Sequence, residues 1–206
     1  SIPPVVALLS RAHNVNPGGT CLAVYRVSKP VVKSGVTCAG EFFPGYAVER
    51  QGKSFHVCYF AVPRDVTPLT PMAVTAEDRA GNRTSAGIPF YVRKTRPFRS
   101  DEVNVGDTFL QQKAVEFQQM DERCAGKSAP EVFSFVNGVI RAENDAKIRS
   151  LCLTSSASQH WDGQTFARMK NSAPKALFGD MRTYFYQGTS LGNSVHLGVD
   201  LASLAQ

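Results

Sequence analysis

The 206-residue chain is 43% apolar and 19% charged, the balance of a globular protein and not of a disordered segment, and it is long enough for one or two domains with cores of their own. Its net charge of +6 is moderate and spread out, with basic clustering visible mainly at Arg93, Lys94, Arg96 and Arg99; no basic helix is interleaved with aromatics, which argues against nucleic acid as a partner. No run of about 18 apolar residues occurs, so no helical membrane span is expected, and Ser1-Ile-Pro-Pro reads as the start of a trimmed or mature form whose leader or anchor would leave no trace here.

Residues 1–95 read as an immunoglobulin-like β-sandwich. Residues 5–9, 21–27, 55–62, 73–76 and 88–92 are short β-rich runs, separated by the turn signals at residues 16–19, 33–35, 43–45, 51–53 and 80–82. The segment Val74-Thr-Ala-Glu-Asp-Arg-Ala-Gly-Asn82 resembles the A-x-D-x-A-G-N strand and turn near the end of bacterial immunoglobulin-like modules. His13 and His56 lie in this part without acidic or cysteine partners at ligand spacing, and read as strand or surface histidines. Cys21 and Cys58 sit in candidate core strands, where a bridge and packing as small apolar side chains are both open. The five cysteines include no C-x-x-C pair, and buried free thiols are expected for at least three of them.

A charged, proline-bearing boundary at residues 94–105 precedes a change of period, and residues 96–153 form a linker and two-helix segment. Phe109, Leu110, Ala114, Phe117 and Met120 recur at helical spacing over residues 107–123, with Asp107 as the expected N-cap. After a break at residues 126–128, Pro130 fits the first turn of a second helix with Val132, Phe133, Phe135, Val136, Val139 and Ile140 on one side, followed by a polar stretch at residues 141–147. An antiparallel hairpin of two such helices must cover another element. Cys124 and Cys152 would lie at its opposite ends, about 30 Å apart and beyond the reach of a bridge.

Residues 154–206 return to loops and strands, with a polar stretch at 154–159 and a strand and turn at 178–188. Near the end, Val195, Leu197, Val199 and Leu201 fall on one parity and Ser194, His196, Gly198, Asp200 and Ala202 on the other, the alternation of a half-buried strand. His196 and Asp200 then share the non-core face, and imidazole and carboxylate are both zinc ligands. A straight strand would hold their α-carbons ~13 Å apart, too far for one ion at about 2 Å from each. A metal site therefore requires the chain to bend or end near Gly198. His160, beside Trp161, is a candidate third ligand.

The run Trp161…Phe166…Arg168…Asn171-Ser-Ala-Pro174…Phe178-Gly-Asp-x-Arg182-x-Tyr184…Gly188…His196-x-Gly198-x-Asp200-Leu-Ala-Ser203 resembles the start of the lysostaphin-type (LytM-like) zinc metalloendopeptidases, in particular the envelope forms of Gram-negative bacteria that place an immunoglobulin-like domain and a helical segment before the peptidase. The resemblance implies a mainly β fold with a helical insert, in which residues 154–206 are the first strands of an antiparallel β peptidase domain. It implies that His196 and Asp200 are two ligands of one zinc ion, with no catalytic residue in this chain. The third ligand and the catalytic histidine belong to an H-x-H motif, which this sequence lacks and which would lie beyond Gln206. The implied chemistry is amide hydrolysis by the full-length enzyme: zinc lowers the pKa of its water toward about 7 and polarises the scissile carbonyl. The implied partners are peptidoglycan peptide and the C-terminal remainder of the same protein, in the periplasm or cell envelope, and this chain alone is expected to be inactive. A non-catalytic envelope module that binds cell wall or activates an amidase is the alternative.

Overall fold

The computed structural model describes every residue except Ser1, Ser155, Ala157, Gln159, Ala205 and Gln206, and divides into two compact units, Ser1–Arg96 and Pro97–Gln206. The expected polar stretch at residues 154–159 falls partly outside the described residues.

In the first unit, period-two alternation builds two antiparallel sheets that share one core. Strands β1 (Val6–Leu8), β3 (Thr20–Val27), β7 (Lys53–Ala61) and β6 (Tyr46–Arg50) form one sheet in that order; β5 (Glu41–Pro44), β4 (Lys33–Cys38), β8 (Met72–Glu77) and β9 (Arg83–Gly87) form the other. A separate parallel pair joins β2 (His13–Val15) to β10 (Phe90–Val92). Along β8, Met72, Val74 and Ala76 point inward and the residues between them do not. They meet Val36 and Cys38 of β4, Ala23 and Tyr25 of β3, and Cys58 and Phe60 of β7 in a single buried cluster. Tyr25 is fully buried; its hydroxyl donates to Ser34 Oγ at 2.8 Å, and burial pushes the phenol up to about 12.

Residues 33–35, expected as a turn, lie inside β4. The reason is close backbone approach: a β-carbon on Gly35 would stand 2.0 Å from the Phe43 carbonyl oxygen of β5, so only glycine allows this pairing. Cys21 and Cys58 are on neighbouring strands but face Phe60 and Ala23 respectively, two residues out of register with each other. Cys38, Cys58 and Cys124 are buried thiols, Cys21 is half-buried and Cys152 is exposed.

The A-x-D-x-A-G-N segment closes the β8–β9 hairpin around one carboxylate. Asp78, 5% exposed, accepts from the backbone N–H groups of Ala80 (2.9 Å) and Asn82 (3.0 Å), from the Asn82 side-chain amide, and from Lys29 Nζ. Gly81 supplies the left-handed conformation the turn needs, at φ +79°.

The second unit begins with a strand where the sequence shows only a boundary. Strand β11 (Ser100–Asn104) lies parallel to β13 (Met181–Tyr186), which pairs antiparallel with β14 (Thr189–Val195). The sheet is thus mixed and not purely antiparallel: the helices between β11 and β13 form the long connection that a parallel neighbour requires. These are α1 (Asp107–Met120), α2 (Ala129–Phe135) and α3 (Arg141–Cys152), the last two fused into one helix by a π-helical stretch at Val136–Ile140. Gly106, not Asp107, occupies the N-cap of α1; Asp107 sits in the first turn and accepts from the Tyr186 hydroxyl at 2.7 Å, tying α1 to β13. That bond holds the Tyr186 phenol above its ordinary pKa. Ser128 and Glu131 form a capping box at the start of α2.

Leu110, Ala114, Cys124, Ala129 and Val132 form the second core, with Tyr186 and Leu191 of the sheet against it. The helical hairpin therefore covers the β13–β14 hairpin, and residues assigned by sequence to a helical segment and to a following domain pack within one unit. Strands β12 (Ser172–Ala176) and β15 (Asp200–Ser203) make a separate antiparallel pair.

The environment of Asp78 has a consequence for acid stability. Bonds from Lys29 and Asn82 hold its carboxyl well below the usual carboxylate range. Its contribution is complete above the unfolded carboxyl pKa of about 3.9 and is lost as pH falls below that value toward the folded one. Urea unfolding of the wild-type chain and Asp78→Asn at pH 6 and pH 3 tests this: the gap between their midpoints narrows at pH 3, and a constant gap contradicts the assignment.

Candidate metal centre

The β13–β14 hairpin brings His196 to the edge of the sheet and then releases it. Strand β14 ends at Val195, the chain bends at Gly198, and β15 resumes at Asp200 in the other sheet. The bend demanded by the distance argument is present. The continuous half-buried strand expected over residues 194–202 is not, and the face assignments change with it: Leu197 and Val199 are 60% and 54% exposed, whereas Ser194 is buried and donates to or accepts from the Tyr184 hydroxyl at 3.0 Å.

Backbone bonds to the turn before β13 fix His196. Its N–H donates to the Asp180 carbonyl at 2.8 Å, and its carbonyl accepts from the Gly179 N–H at 2.8 Å. Asp180 is itself 4% exposed, and its carboxylate accepts from the Arg99 N–H at 2.9 Å and the Leu177 N–H at 3.3 Å. Gly179 adopts φ +87° with the Phe98 ring pressed against it; a β-carbon there would lie 2.2 Å from the ring. Residues 98–99, 177–180 and 196 are thus one knot. The sequence carries no signal for Asp180, because its role depends on a register with His196 that spacing does not show.

The resulting pair stands close. His196 Nε2 lies 3.4 Å from Asp200 Oδ1, with the imidazole side chain 17% exposed and the carboxylate 55% exposed. That separation exceeds the usual N–H···O length, and Nε2 is buried without a hydrogen-bond partner. Two donors about 2.0–2.2 Å from one tetrahedral zinc ion stand about 3.3–3.5 Å apart, so an orphaned nitrogen and a carboxylate oxygen at this spacing fit two corners of such a site. Asp200 Oδ2 also lies 3.7 Å from Arg182 Nη2, a loose ion pair in water-exposed surroundings.

Among the described residues no group of three His, Cys, Asp or Glu converges on one point. His160 Nε2 is instead within 2.9 Å of Ser156 Oγ. His13 Nε2 meets the Leu22 carbonyl at 2.9 Å, and His56 stacks on Tyr25 in the first unit, where burial lowers its pKa. The described residues contain no helix long and apolar enough to cross a membrane.

No family model and no curated protein matches the chain. Solved structures similar to it include tandem Ig repeats of Dlar, at 17% identity over 52% of this chain and 61% of that one, with a TM-score of 0.32. The N-terminal Ig1-2 module of the Drosophila receptor protein tyrosine phosphatase DLAR matches at 17% identity over 51% and 62%, TM-score 0.30. The SGBP-B protein of the Bacteroides ovatus mixed-linkage glucan utilization locus matches at 19% identity over 45% and 23%, TM-score 0.26. Each match spans less than two thirds of the other chain, and similarity at this level decides neither family nor function.

A site of only two protein ligands would hold zinc weakly. Titration of the isotope-labelled chain with Zn²⁺ is expected to shift the His196 imidazole resonances without saturating at one equivalent at micromolar protein, and His196→Ala removes the response. Tight stoichiometric binding, or a response that survives His196→Ala, contradicts the two-ligand site.

Proposed function

We propose that this chain is the N-terminal part of a zinc-dependent endopeptidase that hydrolyses peptide bonds in bacterial peptidoglycan, in the periplasm or cell envelope. The observation that carries the reading is the His196 Nε2–Asp200 Oδ1 pair: a buried nitrogen without a hydrogen bond, 3.4 Å from a carboxylate oxygen, where the chain bends at Gly198. The Phe-Gly-Asp-x-Arg-x-Tyr strand and the H-x-G-x-D run that resemble lysostaphin-type peptidases are the residues that build this pair. The first unit's two-sheet sandwich and its Asp78 turn support its assignment as an immunoglobulin-like module.

In this reading His196 and Asp200 hold the ion, and the third ligand and catalytic histidine come from an H-x-H segment outside these residues. When bound, zinc supplies a Lewis acid for carbonyl polarisation and water activation. The knot at Asp180 fixes the backbone of His196, which lowers the ordering cost of binding. Arg182 offsets the Asp200 charge from its other oxygen.

A second reading, a non-catalytic envelope module that binds cell wall or activates an amidase, is favoured by that same Arg182 contact, which compensates Asp200 without a metal. Hydrolysis separates the two. In a longer form of the protein that includes an H-x-H segment, purified peptidoglycan is cleaved and His196→Ala lowers the rate by at least about a thousandfold. Cleavage that persists in His196→Ala eliminates the ligand assignment, and a wild-type protein that carries zinc but cleaves no peptide favours the module.

A further inference from the structure

The second unit contains a cavity that the peptidase reading does not use. It has a volume of about 530 Å³ and lies between α1, α2 and the β11–β13 face of the sheet, within the range of small-molecule sites. Its walls are apolar and aromatic: Phe109, Phe117, Phe133, Val136 and Tyr184. Phe133 stands edge-on to both Phe109 (ring centres 6.3 Å apart) and Tyr184 (5.2 Å), which fixes three of the rings.

The charge around this apolar space is one-sided. Lys113, Arg141 and Arg182 line it, and no Asp or Glu is among the described residues that do. Arg141 Nη2 donates to the neutral amide oxygen of Asn137 at 3.0 Å, a bond that leaves its charge uncompensated. Lys113 pairs with Glu116 in a half-exposed contact, where water screens the attraction. Arg182 meets Asp200 only at 3.7 Å. A neutral apolar occupant would gain nothing from this excess of positive charge, whereas a short peptide or lipid bearing a cation would be repelled by it.

We propose that this cavity binds a medium-chain acyl carboxylate: the chain lies against the aromatic walls and the carboxylate meets the guanidinium of Arg141, with Lys113 and Arg182 adding to the positive field. Neither His196 nor Asp200 lines the cavity, although Arg182, which does, also faces Asp200; occupancy of the cavity needs no zinc. Arginine suits the role because its planar donors match a carboxylate in two parallel bonds.

Amide correlation spectra of the labelled chain, titrated in zinc-free buffer with octanoate and separately with 1-octanol, test the proposal. Octanoate is expected to move resonances of residues 103–106, 109–117, 132–141 and 182–184, and to bind at least about tenfold more tightly than the alcohol, the effect of one well-formed charged contact. Arg141→Gln reduces that ratio to about threefold or less while octanol binding is unchanged. Because the Lys113 side chain is half-exposed, Lys113→Gln reads the same ratio, with a smaller decrease, should Arg141→Gln fail to give a dispersed spectrum. Equal affinity for acid and alcohol, shifts centred elsewhere, or a ratio untouched by both substitutions overturns it.

Discussion

The second unit depends on one buried carboxylate. Asp180 takes backbone N–H groups from Arg99, at the start of the unit, and from Leu177, in the turn that leads into β13, while its own carbonyl receives the N–H of His196. A carboxylate 4% exposed would be costly without such donors; through its side chain and its backbone together, Asp180 ties Arg99, 81 positions before it, to His196, 16 positions after it. The parallel placement of β11 beside β13 and the position of the imidazole both follow from that junction. Gly179 is the complementary requirement, since its positive φ and the Phe98 ring leave no room for a side chain.

Asp78 performs the corresponding task in the first unit. There the carboxylate gathers two backbone N–H groups, an amide and an ammonium around the β8–β9 turn, and it links that turn to Lys29 on a different part of the chain. The first core is built by strand alternation and the second largely by helical spacing, but neither period settles turn geometry. In both units a short acidic side chain closes it by satisfying donors that a tight turn would otherwise strand.

Much of the architecture is legible in the sequence where periodicity is strong. The runs around Ala23, Phe60 and Val74 become the core strands, and the helical spacing from Phe109 to Met120 becomes α1. The features that escape it are those set by partners distant in sequence. Lys33-Ser-Gly35 reads as a turn until the carbonyl of Phe43 shows why the glycine is there, and residues 100–104 carry too little apolar character to announce a strand whose pairing comes from β13. At the candidate site the need for a bend near Gly198, between His196 and Asp200, is readable from spacing alone. The exposure of Leu197 and Val199 is not, because the chain leaves one sheet for another at that point and the period-two rule lapses where the strand ends.

The proposed metal site rests on one feature of the fold: the His196 imidazole nitrogen is buried, lacks a hydrogen bond and stands about a tetrahedral edge away from an Asp200 carboxylate oxygen. Zinc K-edge X-ray absorption of the chain loaded with zinc at saturating concentration examines that most directly. The predicted spectrum contains one imidazole nitrogen at about 2.0–2.1 Å with the remaining neighbours oxygen, and the imidazole signature disappears in His196→Ala. A wild-type spectrum without imidazole, or one unchanged by His196→Ala, contradicts the account.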